Sequence, residues 1–204
     1  MRTFLNLTAA ALLGLAAAAP SQNVQVFGEP HTRGATTQIL FGDGIMAGIS
    51  IEHGTPAWKD EYNGMLDHLK GRLLRLGSNW WTTMTTSVDL EFGGQKVPAG
   101  AYLLGLHCDE DGKFAMTFLE ATKGLKAGAL PFATSEDRKS MNWKPDFMAP
   151  LKLMKDASDE VAEEMHMELK INPDLKGTYT LSWGKHQLVA DVHVMTKGMA
   201  KKGG

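Results

Sequence analysis

The chain has 204 residues and a formal net charge of −2, with 21 basic residues against 23 acidic ones. This near balance gives no electrostatic reason to expect nucleic-acid binding, because proteins that bind nucleic acids concentrate positive charge on one face. Cys108 is the only cysteine, so an internal disulfide is excluded and packing must stabilise the fold. One domain is the expectation for this length.

Residues 1–19 predict a cleavable signal peptide. Arg2 supplies the positive n-region, Phe4 to Ala19 is apolar without an acid, and Ala16–Ala19 offers small residues to signal peptidase. A short membrane anchor is the alternative. No second apolar run of spanning length follows. We therefore expect an exported chain, periplasmic or extracellular, with no integral membrane segment after cleavage.

The first predicted elements follow a polar, extended lead-in at residues 20–35. Two β-rich runs, Thr36–Phe41 and Ile45–Glu52, flank Gly42-Asp43-Gly44, which is typical of a hairpin. Between Trp58 and Lys70, apolar residues recur at three and four positions. This spacing predicts a short helix or turn that covers the core.

Alternation becomes clear in the middle of the chain and predicts strands with one buried face. The residues predicted to share that face are Met84, Thr86, Val88, Leu90 and Phe92. Tyr102, Leu104 and Leu106 alternate next. Periodicity then fails between Thr122 and Pro150, which predicts one long loop, and loops of this length are often functional.

The last third returns to strands. Met165, Met167 and Leu169 alternate with polar residues, so both methionines are predicted to be core residues rather than metal ligands. Thr178–Trp183 and Gln187–Met195 predict a final hairpin. The sequence therefore predicts an all-β fold, an antiparallel β-sandwich of about nine strands with one short helix and one long loop. We expect a single domain at 36–196 and a basic, Gly-rich tail at 197–204.

No strong catalytic motif is present, and we predict no catalytic residue, metal or cofactor. His107 and Cys108 are adjacent, but neighbours on a strand point to opposite faces and cannot form a dyad. A metal site or a hydrolase would need His107 to meet His31 or His53 together with an acid. A reactive Cys108 would need a distant base such as His31 or His53, and we instead expect Cys108 to be a buried small hydrophobe beside the strand Tyr102–Leu106.

The polar-aromatic run from Arg75 to Thr83 predicts a binding surface. Arg75 offers a planar fork of donors for a carboxylate or a phosphate, and Asn79 can donate and accept. Trp80 and Trp81 point to opposite sides if the segment is extended, so one of them is expected in the core. The predicted ligand-binding residues are Arg75, Asn79, Trp80, Trp81, His107 and, from the long loop, Trp143. The alternative is that these side chains only pack and pair.

The same residues carry a family resemblance. Arg75-Leu-Gly-Ser-Asn79, Thr82-Thr83, Thr85-Thr86 and the segment from Gly94 to Tyr102 resemble the pattern of a bacterial family, domain of unknown function 2911. Gly54-x-Pro56-x-Trp58 and Leu181-Ser-Trp183-Gly184 are similar to it as well. The resemblance runs from about Gln38 to Val194 and implies an exported all-β domain with no assigned site residues. Many members carry Glu-Ala where this chain has Trp80-Trp81, so chemistry based on that glutamate is not available here.

The leading functional hypothesis is an exported, non-catalytic domain that binds a ligand or a partner. The partner would be a small molecule, a glycan or an envelope protein, and not nucleic acid. The alternatives are a cell-envelope hydrolase or metal-dependent enzyme that uses His107 with a second histidine, and a purely structural envelope component.

Overall fold

The computed structural model describes residues 32–42, 44–135, 141–154 and 161–196. The predicted signal peptide (1–19), most of the lead-in and the predicted tail (197–204) lie outside these residues. The described residues form twelve strands, named in chain order β1 (Arg33–Gly42), β2 (Ile45–Gly54), β3 (Arg72–Arg75), β4 (Thr82–Thr86), β5 (Leu90–Phe92), β6 (Gln95–Val97), β7 (Gly100–Cys108), β8 (Phe114–Glu120), β9 (Phe147–Met154), β10 (Ala162–Ile171), β11 (Lys176–Gly184) and β12 (His186–Val194).

The strands pair antiparallel along one path, β1-β2-β4-β7-β8-β9-β12-β11-β10, with β3 beside β7 and β5 between β12 and β6. The two ends of this path approach each other through side chains. The backbone N–H of Leu169 donates to Thr36 Oγ1 at 3.2 Å, and that of Ile171 donates to Gln38 Oε1 at 3.3 Å. The result is a nearly closed sheet, and the predicted all-β antiparallel fold is confirmed.

The predicted buried face of the middle segment is confirmed, but it belongs to two strands rather than one. Met84, Thr86, Val88, Leu90 and Phe92 are all buried. The chain bends at Ser87 because Thr86 Oγ1 donates to the carbonyl of Val88 at 2.7 Å. As a consequence β4 pairs with β2 and β7, whereas β5 pairs with β12 and β6.

The predicted short helix or turn at Trp58–Lys70 consists of two 3-10 helices, Asp60–Tyr62 and Met65–Leu69. The α-helix of the described chain, α1 (Ala121–Lys126), lies at the start of the segment predicted as a loop. Its first turn is capped by the Glu120 carboxylate, which accepts from the N–H groups of Thr122 at 3.0 Å and Lys123 at 2.6 Å. These hydrogen bonds satisfy donors that a helix N-terminus leaves open.

The sheet carries a hydrophobic cluster on each face. The larger cluster fills the inside of the curve and includes Ile49, Leu104, Met116 and Met167. Cys108 belongs to it with 0% of its surface exposed, and burial raises the pKa of its thiol. The predicted buried cysteine is thereby confirmed. The smaller cluster, on the other face, consists of Trp81, Leu103, Leu119, Ala129 and Trp143.

Candidate functional site

The predicted binding run forms a loop that leaves the sheet and returns to it. Arg75 at the end of β3 lies opposite Gly105, and Thr82 at the start of β4 lies opposite Leu104. Leu104 and Gly105 are consecutive in β7, so β3 and β4 together occupy one strand position beside β7. Residues 76–81 (the 76–81 loop) connect β3 to β4 and bulge out of the sheet between them. Thr82 Oγ1 donates to the carbonyl of Leu76 at 2.8 Å and closes the base of this loop.

Two residues let the 76–81 loop turn sharply. Gly77 has φ of 76° and Asn79 has φ of 63°, both in the left-handed region that glycine tolerates best and asparagine tolerates better than most residues. The loop packs backbone to backbone on the end of β2, since a β-carbon on Gly54 would overlap the carbonyl oxygen of Ser78. Asn79 therefore has a conformational role, and its side chain is exposed.

The two tryptophans of the loop separate. Trp81 is 1% exposed and packs against Trp143, with ring centroids 5.1 Å apart. Trp143 is itself buried, and its indole N–H donates to the carbonyl of Leu130 at 2.9 Å. Trp80 is 53% exposed. Trp81 and Trp143 are thus core residues, and of the predicted aromatic surface only Trp80 is available to solvent.

His107 and His53 occupy different environments. His107 is half-buried on β7, opposite Leu73 and Ala115, and its neighbour Leu106 lines the inside of the sheet. Strand alternation therefore directs His107 to the outside. His53 is buried at the end of β2 and shares the inner face of that strand with the core residues Ile49 and Ile51. The third histidine considered, His31, lies outside the described residues.

The burial of His53 lowers its pKa, and Nδ1 lies 3.1 Å from the carbonyl oxygen of Gly54. This distance fits a donating Nδ1–H on a neutral ring. Among the described residues, no group of three or more His, Cys, Asp or Glu side chains is arranged to hold a metal ion.

Among the predicted binding residues, Arg75 has a charged side chain that is free to bind a ligand. Its side chain makes no hydrogen bond or ion pair within the described part of the chain. It is exposed, yet the surrounding protein desolvates the guanidinium enough to lower its pKa. It stays charged, because arginine is not deprotonated in proteins. Arg33 contrasts with it, since that side chain bonds Glu52 at 2.5 Å and the carbonyl of Trp81 at 3.1 Å.

Arg75 also lines a cavity that was not predicted from the sequence. The cavity has a volume of about 370 Å³ and lies between the inside of the sheet and the segment 56–69, here called the cover. Its floor is apolar and is formed by Leu74, Leu106, Phe114, Met165, Leu181 and Leu188. The cover contributes Tyr62, Met65, Leu66 and Leu69. No residue of the two 3-10 helices in the cover is fully buried.

Few polar groups line this cavity. They are Arg75, Tyr62, Ser78, Trp183 and His186, and no aspartate or glutamate is among the described lining residues. The indole N–H of Trp183 already donates to the carbonyl of Pro56 at 2.9 Å. Burial lowers the pKa of His186, so its imidazole is neutral at pH 7. Arg75 lies opposite Gly105 in the ladder, on the outer face of the sheet with His107, so strand alternation directs its guanidinium away from the apolar floor.

An aromatic cluster fastens the cover to β11 and β12. The centroid of the Trp58 ring lies 5.7 Å from that of Tyr62, 5.2 Å from that of Trp183 and 5.6 Å from that of His186, and all three pairs are edge-to-face. Gly184 lets this ring approach, because a β-carbon there would overlap the indole of Trp58. The start of the cover is also bonded to β10, through Trp58 N–H to the carbonyl of Glu163 at 2.6 Å.

The cavity and three of its polar residues, Tyr62, Trp183 and His186, were not predicted from the sequence. A signal for Trp183 was present, since this residue stands in one of the two outlying motifs of the family resemblance and its neighbour Trp58 stands in the other. Nothing in the sequence places those motifs beside Arg75. They meet because β3, the cover and the turn between β11 and β12 lie at the same end of the curved sheet.

Within the described residues, no helix has both the length and the apolar character needed to cross a membrane. A comparison with protein families matches residues 43–192 to the family described as Protein of unknown function (DUF2911). Comparisons with curated proteins and with solved structures return no match.

Proposed function

The chain belongs to the DUF2911 family of proteins of unknown function, and we propose that it binds a small apolar molecule in the cavity under the cover. Binding is non-catalytic in this proposal. The proposed location, outside the cytoplasm, rests on the sequence of residues 1–19 alone.

The observation that carries the proposal is the apolar lining of a cavity of about 370 Å³. Small-molecule sites span roughly 300 to 1,000 Å³ and combine apolar walls with a few polar groups. A water molecule needs two to four polar partners, which the floor of Leu74, Leu106 and Phe114 does not offer. An apolar ligand would supply the dispersion contacts that an empty cavity lacks.

The lining also favours binding over chemistry and a small molecule over a glycan. No carboxylate among the described lining residues is available to orient His186 as a base, and Cys108 is outside the lining. A glycan requires many polar partners on an open surface, whereas this cavity is mostly aliphatic. The exposed Trp80 alone does not form such a surface.

Filling the cavity tests the proposal. Leu106→Trp places a larger side chain at a partly buried position on the floor, and Leu125→Trp is the matched control because Leu125 is 54% exposed on α1. We expect the neutral fluorescent probe N-phenyl-naphthylamine to bind the wild-type protein and the control equally. Binding to Leu106→Trp should fall by tenfold or more.

Both variants must first unfold cooperatively in urea, which shows that loss of binding is not loss of fold. If folded Leu106→Trp binds the probe as well as the wild type does, the probe sits elsewhere and the cavity is not the binding site. No binding of the probe to the wild type would contradict the proposal directly.

A further inference from the structure

We infer that the protein docks peripherally on an anionic lipid surface through the outer face of the β1–β2 hairpin, close to its turn. The docking side chains are Ile39, Phe41 and Met46, here called the hairpin patch. The inference goes beyond the proposed function and is independent of it, since none of these three residues lines the cavity under the cover.

The hairpin patch holds the most exposed large apolar side chains of the described residues. Ile39 is 79% exposed, Phe41 86% and Met46 81%. The three are neighbours, because Ile39 and Phe41 lie two positions apart on β1 and Phe41 pairs with Met46 in the ladder. Single apolar side chains on a surface need no explanation, whereas a contiguous exposed group marks an interaction site.

The outer face of the hairpin carries no charge around the patch. From the patch to the far end of the two strands, the described residues of this face are small and neutral: Ala35, Thr37, Gly48 and Ser50. Charge first appears at that far end, where Arg33 and Glu52 pair with each other at 2.5 Å. A charged side chain beside the patch would lose hydration when the patch enters lipid. Its absence removes that cost.

The patch is too small for a stable protein interface. A large apolar side chain offers roughly 150 Å² or more, so three of them at this exposure offer on the order of 400 Å². A stable interface buries roughly 800 Å² on each partner. A peripheral lipid contact needs less, because a few apolar side chains enter the boundary between head groups and acyl chains while the rest of the protein stays in water. The area therefore favours a lipid surface over a second protein.

The surroundings of the patch favour an anionic lipid. A groove that borders Ile39 and Phe41 is also lined by Thr196 and by the turn between β10 and β11. Three segments of the sequence include or continue these residues: 39–46, 171–176 and 196–202. Together they hold four lysines and two aspartates, whereas the whole chain has a net charge of −2. Lysines close to an anionic membrane add to the attraction that apolar side chains provide.

Co-sedimentation with lipid vesicles tests the inference. Vesicles of phosphatidylcholine alone, and of phosphatidylcholine mixed with phosphatidylglycerol, would be titrated against the wild type, Phe41→Thr and Ile39→Thr/Phe41→Thr. Phe132→Thr is the matched control, because Phe132 is 45% exposed and lies outside the hairpin. Threonine suits exposed strand positions, and urea unfolding checks that each variant is folded. Each protein is expressed with residues 1–19 and purified after export, so the wild type and the variants share one N-terminus.

We expect the wild type to bind the anionic vesicles and Phe41→Thr to bind them about tenfold more weakly, because threonine removes most of the apolar area that phenylalanine places in the lipid. The double variant should bind more weakly still, and Phe132→Thr should bind as the wild type does. Binding of the wild type to phosphatidylcholine alone should be weaker by about fivefold or more, since the attraction of the lysines is lost. Binding of N-phenyl-naphthylamine in the cavity should be the same in the wild type and in all three variants.

Four results would overturn the inference. The first is no binding of the wild type to anionic vesicles, and the second is equal binding to the two kinds of vesicle. The third is an equal effect of Phe41→Thr and Phe132→Thr. The fourth is a wild-type dimer in light scattering that becomes monomeric in Phe41→Thr, which would assign the patch to a second copy of the chain. None of these results bears on the proposed function, which the probe and Leu106→Trp test separately.

Discussion

Trp80 and Trp81 are neighbours in the chain and occupy opposite environments. Trp81 is 1% exposed and packs on Trp143, whereas Trp80 is 53% exposed. The difference follows from the turn at Asn79, whose φ of 63° sets the direction in which the chain re-enters β4. A large aromatic side chain stabilises the fold through the area that it buries, so the two tryptophans should differ greatly in their contribution.

Trp81→Ala should lower the free energy of unfolding by about 3–5 kcal/mol, because it removes a fully buried aromatic side chain and leaves a cavity. Trp80→Ala should change it by less than about 1 kcal/mol, as for most exposed positions. Urea unfolding of the two variants measures the difference. Equal losses would show that Trp80 is also buried in the folded protein.

The 76–81 loop depends on β2, an element distant from it in the described sequence. Ser78 lies so close to Gly54 that a β-carbon at position 54 would overlap it, and a β-carbon on Gly77 would lie 3.0 Å from the carbonyl oxygen of Gly54. Glycine at both positions allows the two backbones to touch. The strand end therefore positions the loop, and with it the Arg75–Ser78 rim of the cavity.

Gly54→Ala should destabilise the protein by about 1–3 kcal/mol, the usual cost of forcing an extra group into a packed site. It should also weaken binding of the probe, because the rim must shift. Gly48→Ala in the same strand is the matched control, since a β-carbon there meets nothing within 4 Å. We expect that control to be neutral or stabilising by up to about 1 kcal/mol. Thermal unfolding and probe titration of both variants provide the measurements, and equal behaviour of the two would argue against the backbone contact.

Over the whole molecule, the sheet closes through side chains rather than through a regular ladder. Thr36 and Gln38 on β1 accept from the N–H groups of Leu169 and Ile171 on β10. Both strands end the hydrogen-bonded path, so each would otherwise present unpaired backbone groups, which favour aggregation. Closure also encloses the larger hydrophobic cluster from which the cavity floor is built.

Thr36→Val should speed amide exchange at Leu169, because valine fills similar space but cannot accept the hydrogen bond. Thr37→Val is the control, since Thr37 bonds the Ser50 side chain at 3.0 Å and does not contact β10 through a hydrogen bond. Hydrogen exchange followed by NMR would give the rates at Leu169 in both variants. Unchanged exchange in Thr36→Val would mean that this amide is protected by burial alone.

The sequence by itself determined the class of the fold and its buried faces. Alternation from Met84 to Phe92 and from Met165 to Ile171 identified core-facing residues, because the period of two is a local property of extended chain. The burial of Cys108 was expected for a different reason, because a free cysteine behaves as a small hydrophobic residue. The bend at Ser87 and the helix α1 were not predicted, since the bend depends on a hydrogen bond that Thr86 donates and the helix on two that the Glu120 carboxylate accepts.

The candidate site was decided by the tertiary structure. The sequence pointed to Arg75 and grouped it with Trp81 and Trp143, two residues that are buried in the smaller cluster on the outer face of the sheet. Its neighbours at the cavity, such as Leu106 and His186, come from distant parts of the chain. Local pattern reports which face of a strand is buried, whereas a cavity exists only where separate elements fail to fill the space between them. That gap is a property of the assembled sheet and its cover.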